Sequence, residues 1–204
     1  MTLTRVVGKG RADVMDPVEF DGHRRAFAKC AVDVGTGAAR FAYHLAGERP
    51  DWLVIGIDAL DAPMGEIAYR ASRKPARGGR ENLLLLRAAV EALPDELGGI
   101  ADEVDVLLPW GALLEGIVRA RAEIVEGVAA LARAGAVVNV TLNGEIWLDS
   151  TPTRYENLPI PTPAYVAETI EPEFRRAGID LEPARYLTAA EAKALPTTWA
   201  RRLG

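Results

Sequence analysis

Five short apolar runs, KCAVDVGTG, WLVIGID, NLLLLRA, DEVDVLLP and GAVVNVTLNG, constrain the fold of this chain more than any other feature. The early ones are apolar on both faces instead of alternating with polar residues, as strands do when helices cover both sides of a parallel sheet. The segments between them supply the helices. AARFAYHLAGERP places Phe41, Ala42, Leu45 and Ala46 at helical spacing and stops near Gly47 and Pro50. DAPMGEIAYRASRK puts Asp61 where a cap belongs and Pro63 in the first turn, and Pro75 forbids its clean continuation. A longer segment, about Leu113 to Arg133, carries Leu114, Ile117, Ile124, Val128 and Leu131 at mostly helical separations, weakened by Gly116 and Gly127. Strands alternating with helices predict a doubly wound α/β domain.

The length of 204 residues suits one domain, 1–204, and 49% apolar content supplies its core. One cysteine, Cys30, excludes a disulfide framework and fits a reducing cytoplasm. Charges interrupt every apolar run, so neither a signal peptide nor a membrane partner is expected, and a cytoplasmic monomer is. TRVVGKGRADVM predicts a hairpin around Gly8 and Gly10 within an extension of residues 1–20. STPTRYENLPIPTP reads as an inserted linker or surface loop within 142–168.

A net charge of −5 argues at first against a nucleic-acid partner, yet the charge is uneven. Arg70 to Arg87 holds six basic residues (Arg70, Arg73, Lys74, Arg77, Arg80 and Arg87) against one acid, Glu81. Ala88 to Glu126 holds nine acids against two arginines. A local basic face remains open.

The sharpest motif is DVGTGAA, Asp33 to Ala39, between a strand and a helix. Gly35 and Gly37 let the backbone turn tightly and approach a ligand beyond the strand ends. Asp58, ending the second strand, is placed to accept hydrogen bonds from two ribose hydroxyls. Two cofactors compete. A dinucleotide fingerprint wants a third glycine, where this chain has Arg40. The D-x-G-x-G form, which opens with an acid, favours S-adenosylmethionine, with Asp33 serving its amino end directly or through water. An ordinary glycine turn is the bland reading. Glu91 falls near the same sheet edge, beside an adenine or as a helix-start acid.

LLPWG follows the fourth strand, where Pro109 restricts the direction of Trp110 and keeps a carbonyl to accept a hydrogen bond. Near the C-terminus, LPTTWARR sets Trp199 beside Thr197, Thr198, Arg201 and Arg202. Two such indoles could sandwich a planar base while the arginines hold phosphates, or both could pack internally. Trp52 and Trp147 sit in mainly apolar runs and read as structural. His23 and His44 form no ligand cluster, so no metal is expected, and Cys30 reads as packing.

VDVGTG, PDWLVIGIDALDAPMGEIAYRASRKPARGG, NLLLLRAAVEALP and ADEVDVLLPWGALLEGIV closely resemble the 16S ribosomal RNA adenine-N1 methyltransferases of the kanamycin–apramycin resistance type, which modify decoding-site adenine 1408. The likeness is strong over about Asp33 to Thr141, and TTWARR adds to it. It implies a mostly parallel, seven-stranded class I S-adenosylmethionine-dependent fold with an N-terminal hairpin extension. It also implies 16S RNA in the small ribosomal subunit as partner, and aminoglycoside resistance as outcome. By the same resemblance, Asp33, Gly35, Gly37 and Asp58 bind the cofactor, with Glu91 by its adenosine. Trp110 and Trp199 match the pair that stacks a flipped adenine, and Thr197 or Thr198 matches a small hydroxyl residue near the base. Arg73, Lys74, Arg77 and Arg80 match a basic RNA-facing surface, joined by Arg201, Arg202 and the loop carrying Arg154. The Pro109 carbonyl is placed to receive the adenine amino group. The chain departs from the family's D-x-G-T-G-D-G in having Ala38 and Ala39. Two other readings stand beside this one: a homologue that binds cofactor or ribosome with little turnover, and a nicotinamide-dependent oxidoreductase.

Overall fold

The computed structural model describes residues 2–147 and 155–195. The chain opens with a hairpin of β1 (Thr4–Gly8) and β2 (Arg11–Val14), followed by α1 (Pro17–Arg25). Strands and helices then alternate through β3 (Lys29–Val34), α2 (Arg40–Glu48), β4 (Trp52–Asp58), α3 (Gly65–Ala71), β5 (Leu83–Arg87) and β6 (Ala101–Leu107). Next come α4 (Gly111–Val118), α5 (Ala122–Leu131) and β7 (Ala132–Thr141). A helical stretch follows, made of α6 (Pro163–Tyr165), a wider turn (Val166–Ile170) and α7 (Glu171–Arg176), and α8 (Ala189–Ala194) closes the described chain.

The strands form one seven-stranded sheet in the order β2-β1-β5-β4-β3-β6-β7. β5, β4, β3, β6 and β7 are parallel, and the hairpin adds two antiparallel strands to the β5 edge. This is the class I methyltransferase architecture, with the hairpin supplying two of the seven strands. Strand order reverses between β3 and β6, so a crevice opens at their carboxyl ends.

Both faces of β3, β4 and β5 are covered, which explains why those runs are apolar throughout, whereas the edge strand β7 has no fully buried residue. Ala31, Val54 and Leu85 pack with Ala42, Leu45 and Ala46 of α2 and Ala68 of α3. The other face presents Val32, Ile55, Leu84 and Val106 to Phe20 of α1, Val128 of α5 and Phe174 of α7. Full burial of such side chains contributes about 1.5–3 kcal/mol each. A smaller cluster joins Leu114 and Val118 of α4 to Ile146, Tyr155 and Leu158, so the segment read as a linker is packed against α4.

Several sequence expectations are corrected. The single segment from Leu113 to Arg133 is two helices, broken where Ala120 takes a left-handed φ of 48°. Gly116 and Gly127 lie inside those helices, where a methyl group would strike Ile124 and the Val90 carbonyl respectively. They mark close packing, not breaks. Asp61 makes no cap hydrogen bond and instead lies 3.6 Å from Arg87. Glu91 starts no helix; it is exposed in a turn closed by the Ala89–Ala92 bridge. The helix α1 was not expected, although Asp16 caps it by accepting from Val18 N at 2.8 Å, with Pro17 in the first turn.

Candidate active site

The turn after β3 is fixed by backbone bonds to the neighbouring strand. Gly35 N and Thr36 N both donate to the Ile57 carbonyl, at 2.9 and 3.0 Å. Gly35 and Gly37 have φ of 70° and 54°, the left-handed region that glycine enters without steric cost. A methyl on Gly37 would meet nothing closer than 4.0 Å, so the turn leaves open room for a ligand to approach its backbone.

Asp58 ties three loops together at this edge. Its Oδ2 accepts from Gly37 N at 2.9 Å, its Oδ1 from Leu60 N at 2.9 Å, and its carbonyl from Ala88 N at 2.9 Å. Each carboxylate oxygen keeps a further lone pair. The half-buried side chain thus serves the fold and can still accept from a ligand. Glu91 follows the Ala88 junction, beyond the carboxyl end of β5, and is exposed.

Asp33 lies deeper, at 4% exposure, where its Oδ2 accepts from Thr36 Oγ1 at 2.5 Å. It therefore shapes the turn from beneath. Its register neighbour on β6 is Asp105, which accepts from Asn139 Nδ2 at 3.0 Å. Burial pushes the Asp33 carboxyl up to about 7, against the Thr36 bond and helped by Asp105. Burial likewise pushes Asp105 up to about 6. Sequence reading missed this pair because DEVDV looks like an ordinary strand with surface acids.

The segment LLPWG comes to the same place. Leu108 adopts a φ of 48°, Pro109 is buried, and Trp110 leads into α4. One turn later Leu113 lies against Gly35, where an added methyl would sit 2.5 Å from its Cδ2. The donor turn and the tryptophan segment, about seventy residues apart, are thus in contact through the Leu113–Gly35 pair. Trp110 is half-buried at the rim of the small cluster, its ring 5.8 Å from Tyr155 at 50°. Tyr155, unforeseen from sequence, also accepts a hydrogen bond from Gly111 N at 2.8 Å. The indole is held at a rim and not sealed in the main core.

Arg73, Lys74 and Arg77 are exposed on the loop between α3 and β5. Arg80 is not: it is half-buried, with its guanidinium 4.9 Å from the Tyr43 ring centroid. Its guanidinium is turned toward α2, so of these four basic residues it is the one engaged with a neighbouring element. A cleft of about 490 Å³ lies behind this loop, lined by Val6, Ala68 and Leu83, and includes none of Asp33, Asp58 or Trp110. Arg154, Thr197, Thr198, Trp199, Arg201 and Arg202 lie outside the described residues. Among the described residues no three His, Cys, Asp or Glu side chains are grouped to hold a metal ion. Nor is any described helix long and apolar enough to cross a membrane.

Fold and site together define a class I methyltransferase domain: a reversed strand order, a glycine turn at the crevice, and an acid ending the next strand. Comparison with known proteins narrows the class. The family model for the NpmA-type 16S rRNA (adenine(1408)-N(1))-methyltransferase matches residues 4–204. A 16S rRNA (adenine(1408)-N(1))-methyltransferase of Streptoalloteichus tenebrarius is 40% identical over 201 residues, 98% of this chain and 92% of its own. The Escherichia coli protein of the same description is 31% identical over 87% of this chain and 81% of its own. Among solved structures, a tryptophan-to-alanine mutant from Catenulisporales acidiphilia, determined with its cosubstrate S-adenosylmethionine, superposes with a TM-score of 0.92. It shares 38% identity and covers 99% of this chain and 90% of its own. The chain belongs to the 16S rRNA (adenine(1408)-N(1))-methyltransferase family.

Proposed function

We propose that this chain transfers the methyl group of S-adenosylmethionine to N1 of adenine 1408 of 16S RNA in the small ribosomal subunit, giving aminoglycoside resistance. The family membership supports the reaction, and the observation that carries it to this chain's residues is the contact of the donor turn with the Trp110 segment at Gly35 and Leu113. The open backbone at Gly37 and the remaining lone pairs of Asp58 fit a nucleoside-bearing donor. When bound, the donor supplies an electrophilic methyl group on sulfur.

The protein's part is alignment. Neutral adenine already carries a lone pair on N1, so no general base is needed for attack. Asp58 accepts from the ribose hydroxyls, Gly35 and Gly37 admit the ligand to the backbone, and Glu91 borders the adenosine. Asp33 acts through Thr36 by holding the turn. Adenine must leave its stack to react, and Trp110 with Trp199 offsets that cost by stacking. Thr197 or Thr198 lies beside the base, and the Pro109 carbonyl receives its amino group. Arg73, Lys74 and Arg77 dock ribosomal phosphates, with Arg154, Arg201 and Arg202 extending that face. The site of action is cytoplasmic, where small subunits are found.

Purified protein incubated with isolated small subunits and methyl-labelled donor should place label on N1 of adenine 1408. Subunits left unlabelled at that base would overturn the reading.

A further inference from the structure

The basic loop between α3 and β5 is closed on itself. Arg77 N donates to the Lys74 carbonyl at 2.7 Å, Gly78 N to that of Pro75 at 2.9 Å, and Arg80 N to that of Ala71 at 2.9 Å. Its end is anchored by Asn82, whose Nδ2 donates to the carbonyls of Ala46, Arg49 and Trp52 at 3.0, 3.0 and 2.9 Å. Its middle is held by a side chain on another element. Tyr43 of α2 donates its hydroxyl to the Gly78 carbonyl at 2.7 Å. The guanidinium carbons of Arg70 and Arg80 lie 4.8 and 4.9 Å from the Tyr43 ring centroid. One turn further along α2, Gly47 leaves the room that the Arg80 guanidinium occupies, since a methyl group there would sit 2.9 Å from its Nη2.

This arrangement divides the basic residues into two sets. Arg70 and Arg80 contact the Tyr43 ring, whereas Arg73, Lys74 and Arg77 are exposed with neither a ring contact nor a carboxylate in ion-pair range among the described residues. Long cationic side chains on a slack loop would lose conformational freedom on meeting RNA; a loop already fixed loses less. We propose that Tyr43, seated with Gly47 on α2, is a positioning residue that presents Arg73, Lys74 and Arg77 to ribosomal phosphates as a preformed set. The proposal rests on the reading of the protein as a small-subunit methyltransferase.

The test compares kinetics, donor affinity and melting temperature for the full-length chain and for Tyr43→Phe, Tyr43→Leu and Gly47→Ala. Tyr43→Leu loses the hydrogen bond and the ring, and should raise KM for small subunits about tenfold. Its kcat at saturating subunits and its Kd for S-adenosylmethionine should stay unchanged. Tyr43→Phe keeps the ring and should raise KM only about threefold. Gly47→Ala gives the more decisive result. Alanine favours a helix over glycine, and the atoms it displaces are the flexible end of Arg80, so melting temperature should hold or rise. KM should nevertheless increase, a separation that a purely structural role would not give. Wild-type transfer with unchanged KM in Tyr43→Leu and Gly47→Ala would overturn the clasp alone. Loss of donor affinity and kcat in step with melting temperature would also overturn it. A wild-type protein that transfers no methyl to subunits would sink the parent reading and this proposal with it.

Discussion

One helix serves two regions by different means. At the N-terminus of α2, the glycine turn is held by its own backbone N–H groups: Gly35 and Thr36 donate to the Ile57 carbonyl and Gly37 to the Asp58 carboxylate of the adjoining strand. Further along α2, the basic loop is held through side chains, by Tyr43 and by Arg80 lying over Gly47. The first region is part of the sheet, so a change there affects stability, donor binding and turnover together. The second lies at the surface, so on the proposed reading a change there alters RNA docking while the first region stays intact. The difference separates a site that must be rigid to align atoms from one that need only present charge.

The largest effect is expected on the donor side. Asp58→Ala removes the acceptor for both Gly37 and Leu60 and should lower transfer by at least about 100-fold. It should also weaken donor binding in calorimetry and depress the melting temperature. Loss of turnover with full donor affinity would break the claim that this edge acts as a unit. On the docking side, replacing Arg73, Lys74 and Arg77 together by alanine should raise KM for subunits and leave donor affinity alone. The dependence of log affinity on log salt should flatten by about one unit for each phosphate that the variant no longer neutralises. An unchanged salt slope would remove these three residues from the interface.

A smaller effect concerns pH. In the folded chain the Asp33 carboxyl is pushed up to about 7 and that of Asp105 to about 6, whereas an unfolded aspartate titrates at about 4. The folded state therefore binds protons that the unfolded state has released. These groups contribute full stability below about pH 4, and the contribution is lost as pH rises toward 7. Melting temperatures of Asp33→Asn should fall less steeply than wild type across that window, and parallel curves would contradict the assignment. The smallest effect is at Ala39, which is fully buried with a φ of 55°, where glycine is unstrained. Ala39→Gly should stabilise the protein by roughly 0.5–1 kcal/mol, a rise of about 2 °C in thermal melting. A fall would mean that packing of the methyl group outweighs backbone strain.

The middle of the sheet was legible because β3, β4 and β5 are buried on both faces and so leave unbroken apolar runs. The helices were less so, for specific reasons. α1 buries only Phe20, too little to give periodicity, and its sole signal is the Asp16–Pro17 cap. Thr162–Pro163 opens α6 in the same way, with Thr162 Oγ1 accepting from Tyr165 N at 3.2 Å, inside a stretch whose prolines suggested a linker. The break at Ala120 has neither glycine nor proline to announce it. At the site, Asp58 and the glycines were readable because their chemistry is local. Tyr155 beside Trp110 and Tyr43 beneath the basic loop were not, since each acts across the fold. Arg80 shows the same limit: a charge count places it on the surface, and only a ring from another element draws it inward.

The most direct test reads the modified base itself. A methyl group on N1 blocks the pairing edge of adenine, so reverse transcription of 16S RNA from treated small subunits should halt at position 1408. The account predicts a stop there that requires S-adenosylmethionine and is weakened about 10- to 100-fold in Trp110→Ala, where base stacking is removed. Read-through at adenine 1408 after complete incubation with wild-type protein and donor would contradict it.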